Sequence, residues 1–521
     1  MELTILALAF LGGAIAGRLQ LPVFVGYLIT GLVLGSVGIG VTDALEHAGE
    51  IGVLLLLFGI GLHIRLDTLL SKEVLLAGGA HLLMSTALFV IIAQFLGLSL
   101  KEALVWGVLL GFSSTVLAAK TLEGSGALST YYGRVAIGIL ILQDVVAIAV
   151  MAVASDAQPS LAALLLVPAA LMFRWLLPLI IDRIYNDELQ LLLAVLVALG
   201  AAEAFHYLNL SGELGAILAG ALVARHQKSE QLGHRLWALK EILLVAFFVG
   251  IGLQVSPSQE DWAIASVLTL MLPLKAWLFF AVLVAVGLRA RTAFLTGTVL
   301  TSYSEFTLIA GAVAHEAGML SASGLSILAL TTVLSFVIHL PVNRLSQRLY
   351  DYYRPWLHRF ERDCPHPDQY VIDCESASHL VLGMGRTGTA AYRYLDRCGA
   401  SVLGMDTDAA VLERHRAEGR RITQGDSQDA ELWSGVSLSD IEGVVITLPS
   451  FDGRLRVVGL LREQAPNALI STFALHEGEV TALREAGADR VSFLLAEAGE
   501  RLAELSMGSA TDVVEPDPVS A

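Results

Sequence analysis

Thirteen apolar runs follow one another through the first two thirds of this 521-residue chain, near 3–19, 22–40, 49–65, 74–97, 102–121, 133–154, 160–181, 188–208, 212–225, 237–255, 262–287, 292–315 and 322–345. A helix that crosses a bilayer needs about 20 predominantly apolar residues. Lipid offers no hydrogen-bond partners, so a chain of such runs has to close its backbone within helices and pack them as a bundle. Composition agrees, with 55% hydrophobic and 16% charged residues. The formal net charge of −16 argues against nucleic acid as a partner. Met1 and Glu2 lead straight into apolar sequence without a basic segment, so the first run is read as a span and not a leader.

Loop charge orients the bundle. One set of alternate loops carries Arg18, Arg65 with Lys72, Lys120 with Arg134, Arg183, Arg225 with Lys228 and Arg235, Arg289 with Arg291, and Arg344 with Arg348. The other carries Asp43, Glu46, Glu50, Asp156, Glu260, Asp261 and Glu316, with Lys101 its lone basic residue. The basic set belongs on the cytoplasmic side. Thirteen spans then put the N-terminus outside and the C-terminal third inside, in a bacterial-type inner membrane.

Internal repeats follow from three matches at nearly one offset. Gly26-Tyr-Leu-Ile-Thr-Gly31 resembles Gly215-Ala-Ile-Leu-Ala-Gly220, Phe58-Gly-Ile-Gly-Leu62 resembles Val249-Gly-Ile-Gly-Leu253, and Ser113–Ala118 resembles Ser304–Ile309. Spans 1–6 are therefore related to spans 8–13, with span 7 as linker. Seven crossings separate equivalent helices, so the halves have opposite topology. Inverted repeats with a midplane site are the signature of a secondary transporter.

The midplane candidate is Asp144, in the apolar run Gly138–Val150 with Gln143 beside it. An ionisable residue at that depth is costly and by default functional. One carboxylate in a cavity holds a proton or a monovalent cation but not both well. If access alternates only when the site is occupied, that competition produces antiport. Gln143 adds a neutral oxygen and leaves Asp144 without an adjacent acid, which favours one-for-one exchange. Gly111-Phe-Ser-Ser-Thr-Val116 and Thr301-Ser-Tyr-Ser-Glu-Phe306 occupy equivalent places in the two repeats. Hydroxyl-rich breaks in apolar helices read as crossing half-helices, with Ser114, Thr115 and Ser304 as ligand candidates. Glu305 is expected to offset half-helix dipoles and not to bind the transported ion. Lys275 is expected to pair with a carboxylate, Asp144 or Glu305. Arg174 reads as snorkelling, and Glu203 and Glu213 as solvated.

Beyond Tyr350 the pattern changes. Residues 351–376 hold Pro355, Pro365 and Pro367 and read as a linker. Six β-like runs then alternate with helical ones: His379–Leu382, Ser401–Met405, Arg421–Thr423, Gly443–Leu448, Leu469–Phe473 and Arg490–Phe493. Residues 377–506 are thus expected to form a doubly wound α/β, Rossmann-like unit, and 507–521 a disordered tail. Cys364, Cys374 and Cys398 fit no zinc spacing and read as reduced thiols of a cytosolic domain. Gly383-Met-Gly385-Arg386-Thr387-Gly388 follows one strand and opens a helix, and Asp406 ends the next strand. In that context the glycines admit a phosphate to a helix N-terminus and Asp406 reaches ribose hydroxyls. Asp426, at the end of the third strand, is an adenine-side contact.

The set Gly26–Gly31, Leu57–Leu62, Ser113–Thr115, Leu142-Gln-Asp144, Phe248–Gly252, Lys275 and Ser304–Phe306 resembles the monovalent cation:proton antiporter-2 family. Within it, the Gln-Asp pair is similar to the Kef-type potassium efflux systems. The C-terminal unit is similar to the nucleotide-binding lobe of potassium-conductance regulators (TrkA-N type). The resemblance implies a homodimer with a dimerisation part and a six-helix core part per protomer. It implies exchange of K⁺ for H⁺ with K⁺ at Asp144 and Gln143, and AMP or NAD(H) as regulatory ligand. Kef-type proteins usually have a Gly-Gly-Glu-Phe-like run where this chain has Tyr303-Ser304-Glu305-Phe306. The resemblance covers one lobe of the regulator, and no second lobe is expected. A Na⁺/H⁺ antiporter is the nearest alternative. A ligand-gated potassium channel would need a Thr-Val-Gly-Tyr-Gly-like filter, and a membrane-anchored dehydrogenase a substrate domain; neither is found. The chain is therefore read as a transporter and not an enzyme.

Overall fold

In the computed structural model the described residues are 2–506, apart from 20, 64–70, 155–165, 185, 209–211, 225, 227–228, 256, 363–373, 375–376, 435, 437, 439, 494–495, 498, 501–502 and 504–505. The chain divides into two compact units. One takes Met1–Thr121 with Arg134–Pro367, and the other Leu122–Gly133 with Asp368–Ala521.

The first unit is helical. The helices of its first half are α1 (Glu2–Arg18), α2 (Val23–Ser36), α3 (Asp43–His63), α4 (Lys72–Phe95), α5 (Leu100–Gly111), α6 (Thr115–Gly124) and α7 (Tyr131–Ala154). Then come α8 (Leu166–Arg183), α9 (Asp187–Tyr207), α10 (Gly212–Val223), α11 (Ser229–Gln254), α12 (Gln259–Leu270), α13 (Leu272–Val286), α14 (Ala290–Val299), α15 (Phe306–Glu316) and α16 (Ala322–Leu357). Each of the thirteen apolar runs carries helix. Among the described residues, six helical stretches are long and apolar enough to cross a membrane. Large apolar side chains such as Leu3 and Phe95 lie on the outside of the unit, where lipid and not water is the solvent that suits them.

The repeats meet through glycines. A methyl group at Gly31 would lie 2.3 Å from the Val249 carbonyl oxygen, and one at Gly61 would lie 2.3 Å from that of Ile217. Gly31 faces Gly252 and Gly61 faces Gly220. Gly220 is the repeat equivalent of Gly31, and Gly252 that of Gly61, so a single contact is made twice about a pseudo-two-fold axis. Small residues permit this backbone approach, which apolar bulk alone does not drive in lipid.

The two expected helix breaks are present: the run 102–121 is two helices, α5 and α6, separated by Phe112-Ser113-Ser114, and the run 292–315 is α14 and α15, separated by Leu300–Glu305. Two departures from the sequence reading stand out. The run 262–287 is also divided, at Met271, where Pro273 occupies the first turn of α13. The first part of the expected linker is not a linker: α16 continues to Leu357 with Pro341 and Pro355 inside it, and a 3₁₀ turn, His358–Phe360, follows. Trp356 stacks on Trp277 at 5.1 Å, so this helix end is held by ring packing despite its prolines. Residues 363–373 of the expected linker, the tail 507–521, and the side chains of Arg174 and Glu213 lie outside the described residues. Glu203 is exposed, as expected.

The second unit is built on a six-stranded parallel sheet. Its elements are β1 (His379–Leu382), α17 (Arg386–Arg397), β2 (Val402–Asp406), α18 (Ala409–Ala417), β3 (Ile422–Gln424), α19 (Ala430–Ser434), β4 (Gly443–Ile446), α20 (Phe451–Gln464), β5 (Leu469–Ala474), α21 (Glu477–Glu485) and β6 (Arg490–Phe493). The strand order is β3-β2-β1-β4-β5-β6. That order reverses direction between β1 and β4, which opens a crevice at the strands' C-terminal ends. Each strand lies within two residues of its predicted bounds. Continuous apolar runs such as Leu380–Leu382 fit a sheet covered on both faces.

Candidate functional site

The two helix breaks create the chemistry of the first unit. Unwinding frees N–H and C=O groups, and each one left bare in lipid costs several kcal/mol. Side chains from other helices close them. In the first break, Ser113 N donates to Gln143 Oε1 at 2.9 Å, and Ser114 N donates to Ser302 Oγ at 3.2 Å. In the second, Tyr303 N donates to Ser335 Oγ at 3.0 Å, and Phe306 N to Ser304 Oγ at 3.0 Å. By the repeat match Ser113 corresponds to Ser304 and Gln143 to Leu334, so Tyr303 and Ser335 each lie one position from those equivalents. A main-chain N–H of each break is thus capped from a nearby place in both halves, once by an amide and once by a hydroxyl.

Lys275 closes the carbonyl side. Its Nζ donates to Leu110 O at 3.2 Å, Phe112 O at 2.5 Å and Ser302 O at 2.9 Å. The expected carboxylate partner is replaced by three main-chain carbonyls drawn from both breaks. The physical reason is local. The C-terminal end of α5 presents unpaired carbonyls with the negative end of its dipole, and an ammonium has three donors for them. Lys275 is fully buried. It lies one turn into α13, where the division at Met271 leaves it facing the crossover.

The N-terminus of α6 gathers the anions. Thr115 Oγ1 donates to Asp144 Oδ1 at 3.2 Å and Oδ2 at 3.1 Å. The next residue, Val116, donates its N–H to Glu305 Oε1 at 3.3 Å. Asp144 and Glu305 are each 3% exposed. One short half-helix start thus holds a carboxylate from α7 and another from the second repeat. Of the predicted ion-site residues, Asp144, Thr115, Gln143 and Ser114 come together here. Ser304 spends its hydroxyl oxygen capping α15 and shares no hydrogen bond with Asp144.

Sequence reasoning missed Ser302, Ser335 and Tyr303, the last with its hydroxyl on Leu268 O at 2.7 Å. The repeat offset applied to Gln143 falls on Leu334, one residue before Ser335. It also missed His81, buried and stacked on Phe279, and His339, whose ring nitrogens meet Thr301 O and Thr121 Oγ1 at 3.1 Å each.

In the second unit the glycine turn is as expected. Gly383 has φ +92°, a conformation that glycine adopts without strain. A methyl at Gly388 would fall 1.8 Å from the Gly383 carbonyl oxygen. Nothing lies within 4 Å of the place a methyl at Gly385 would take. Gly385, Arg386 and Thr387 are exposed, and α17 starts with no side-chain cap. Open N–H groups at a helix start fit a phosphate. Asp406 Oδ2 accepts from Met384 N at 2.6 Å, and its Oδ1 from Asp408 N at 2.9 Å, so the carboxylate is locked beside the turn. Asp426 lies two residues past β3 and accepts from Gln428 N at 3.0 Å.

Two supports were not anticipated. Buried Arg454 donates to Leu448 O, Pro449 O and Glu479 Oε2 at 2.9, 3.0 and 3.0 Å, fixing the loop after β4. Buried His415 holds the turn from beneath, Nε2 to Met384 O at 3.0 Å, while Arg420 meets its Nδ1 at 2.5 Å. Burial lowers the His415 pKa below 6.5, and the Arg420 and Arg414 charges push the same way against the Met384 hydrogen bond. This unit also includes the short segment between α6 and α7, where Ser129 Oγ lies 2.7 Å from Thr407 Oγ1.

A family described as sodium/hydrogen exchanger, transmembrane, matches residues 6–344, and the TrkA-N domain matches 379–493. The chain is 26% identical to the putative cation/proton antiporter YbaL of Escherichia coli (strain K12), over 93% of each chain. It is 27% identical to the putative K(+) efflux antiporter KefB of Alkalimonas amylolytica, over 93% of this chain and 77% of that one. Among solved structures, the TrkA-N domain of the inner membrane protein ybaL from Escherichia coli is 22% identical, covers 26% of this chain and 98% of its own, and has a TM-score of 0.24. With the transmembrane match covering more than half of its length, the chain belongs to the sodium/hydrogen exchanger family of membrane antiporters and carries a TrkA-N domain as its soluble module.

Proposed function

We propose that this antiporter exchanges K⁺ for H⁺ by alternating access, with Asp144 as the carrier. The observation that carries the reading is Asp144 itself, buried and hydrogen-bonded by Thr115 at the start of a half-helix. There it is accompanied by oxygens suited to a desolvated monovalent cation. Protonated, the carboxyl is neutral and needs little compensation; ionised, it needs a cation. The crossing breaks, held by Gln143, Ser335 and Lys275, keep the geometry while the halves move. Similarity to the potassium efflux relative supports K⁺, and the family description supports Na⁺ as second reading. Proton flux in proteoliposomes with potassium, sodium and lithium compared separates them. Flux driven by sodium but not potassium would sink the first reading, and potassium movement without protons would identify a channel.

The reading extends to regulation. An adenine nucleotide, AMP or NAD(H), suits the turn Gly383–Gly388, with its phosphate on the N–H groups of Gly385, Arg386 and Thr387, ribose at Asp406, and adenine toward Asp426. Thr407 follows Asp406 and contacts Ser129, and the segment holding Ser129 joins the helices that carry Thr115 and Asp144. Nucleotide-dependent shifts of Thr407 are thus two short steps from the carrier. Calorimetric titration of the full chain with AMP and with NADH, paired with flux at saturating ligand, tests this; no binding of either removes the regulatory reading. The protein is further inferred to be a homodimer in a bacterial inner membrane, N-terminus outside and soluble unit cytoplasmic. Crosslinking in native membranes and protease access to either side test those points.

A further inference from the structure

Glu305 is more than an offset for half-helix dipoles. Its Oε1 does that work by accepting the Val116 N–H. Its Oε2 is buried and has no hydrogen-bond partner among the described residues. A buried carboxylate oxygen with no donor from the protein is costly to hold ionised unless a proton or a cation joins it.

The surrounding charges do not supply one. A helix N-terminus is equivalent to about half a positive charge, and that of α6 already meets Asp144 through Thr115 and Glu305 through Val116. Lys275, from α13, directs its ammonium to three carbonyls. Lys240, from α11, acts on Glu305 through space, but its ion pair is with Glu241 at 3.8 Å. Asp144, from α7, repels it. The Ser114 hydroxyl accepts from Leu117 N at 3.2 Å and acts on the Glu305 carboxylate as a donor, but carries no charge.

We propose that Glu305 is the second cation-ligating and proton-exchanging carboxylate of the transport site, acting with Asp144 across the α6 N-terminus. The inference rests on the reading of Asp144 as carrier. Two mutually repelling carboxylates on one half-helix are both ionised only with a cation at hand. When the cation leaves, each oxygen pair takes up a proton. When a cation enters, both protons leave. Two protons then move for each monovalent cation, and each cycle transfers one net charge. Gln143 gives Asp144 a neutral sequence neighbour, but the fold brings the second acid from the other repeat.

The test is the stall point of exchange by the full-length protein in proteoliposomes, with the membrane potential dissipated by a permeant lipophilic ion. A tenfold potassium gradient is balanced by about one pH unit if one proton moves and by about half a unit if two do. The expected result is half a unit for wild type and for Glu305→Asp. Glu305→Gln is expected to stall at one unit and to raise the KM for potassium about tenfold. A wild-type stall at one unit overturns the proposal, as does a Glu305→Gln variant with the wild-type stall point and KM. Should Glu305→Gln not fold, the wild-type stall point decides alone. Cation-driven flux that survives Asp144→Asn defeats the carrier reading instead, because that variant leaves Glu305 intact.

Discussion

Two helix starts in this molecule solve the same problem in opposite ways. The N-terminus of α6 lies inside the membrane unit and is covered by the protein's own anions, Asp144 on Thr115 and Glu305 on Val116. The N-terminus of α17 lies in the soluble unit and is left open, with exposed Gly385, Arg386 and Thr387 and no side-chain cap. Both ends carry the same partial positive charge and the same unpaired N–H groups. Solvent makes the difference. Water satisfies an open start until a phosphate displaces it, whereas lipid satisfies nothing, so the membrane unit must bring its own partners. The carboxylates that close α6 are consequently built into the chain.

The comparison is most severely tested at Asp144. Asp144→Asn keeps a hydrogen-bond partner for Thr115 but removes the charge, and cation-driven proton flux is expected to fall at least a hundredfold. Lys275→Met is next. Three buried carbonyls would lose their donor, at about 1–3 kcal/mol for each acceptor left unsatisfied. The readout is thermal unfolding in detergent, and an unchanged midpoint would show that the crossover closes without the lysine.

At the open end, Gly388→Ala drives a methyl into the Gly383 carbonyl at 1.8 Å. Nucleotide affinity is expected to fall more than tenfold by calorimetry, with transport in the absence of nucleotide unchanged. The turn is also sensitive to pH through His415. Its pKa lies below 6.5 in the folded unit, so the unfolded chain binds the proton more readily. The stability it contributes is full above about pH 6.5 and is lost as pH falls through 6.5 toward the folded value. Nucleotide binding should weaken over that window, and His415→Asn should flatten the profile. Ser129→Ala is the mildest change. Losing one hydroxyl contact costs about 1 kcal/mol, and the expected outcome is a few-fold smaller effect of nucleotide on flux. An unaltered response would separate the Ser129 contact from regulation.

Much of this was legible beforehand because it depends on local pattern. The six strands alternate with helices in periods that a reader can see, and Gly383-x-Gly385-x-x-Gly388 demands its turn by sterics. The glycine matches betrayed the inverted repeat because a methyl at Gly31 or Gly61 would fall 2.3 Å from a carbonyl oxygen of the facing helix. The errors share a cause. Charge seeks charge, so the sequence points Lys275 at a carboxylate, yet its donors go to carbonyls that are free only where two distant helices unwind. Pro355 suggested a linker, but stacking of Trp356 on Trp277 outweighs what a proline near a helix end costs. Arg454 and His415 bear no motif at all, and their value lies in which carbonyls the folded loops present to them.

By itself, the sequence determined the lipid-facing bundle, its repeat, the soluble parallel sheet and the place of Asp144 within an apolar helix. Each of these follows from residue type and spacing along the chain. Only tertiary structure decided what surrounds that carboxylate. Backbone groups freed by the breaks are satisfied by Gln143, Ser302, Ser335 and Lys275 from four separate segments, and Glu305 joins Asp144 at one helix start. Hydrogen bonding in a dry interior is a three-dimensional constraint, and no spacing along the chain encodes which donor ends beside which acceptor.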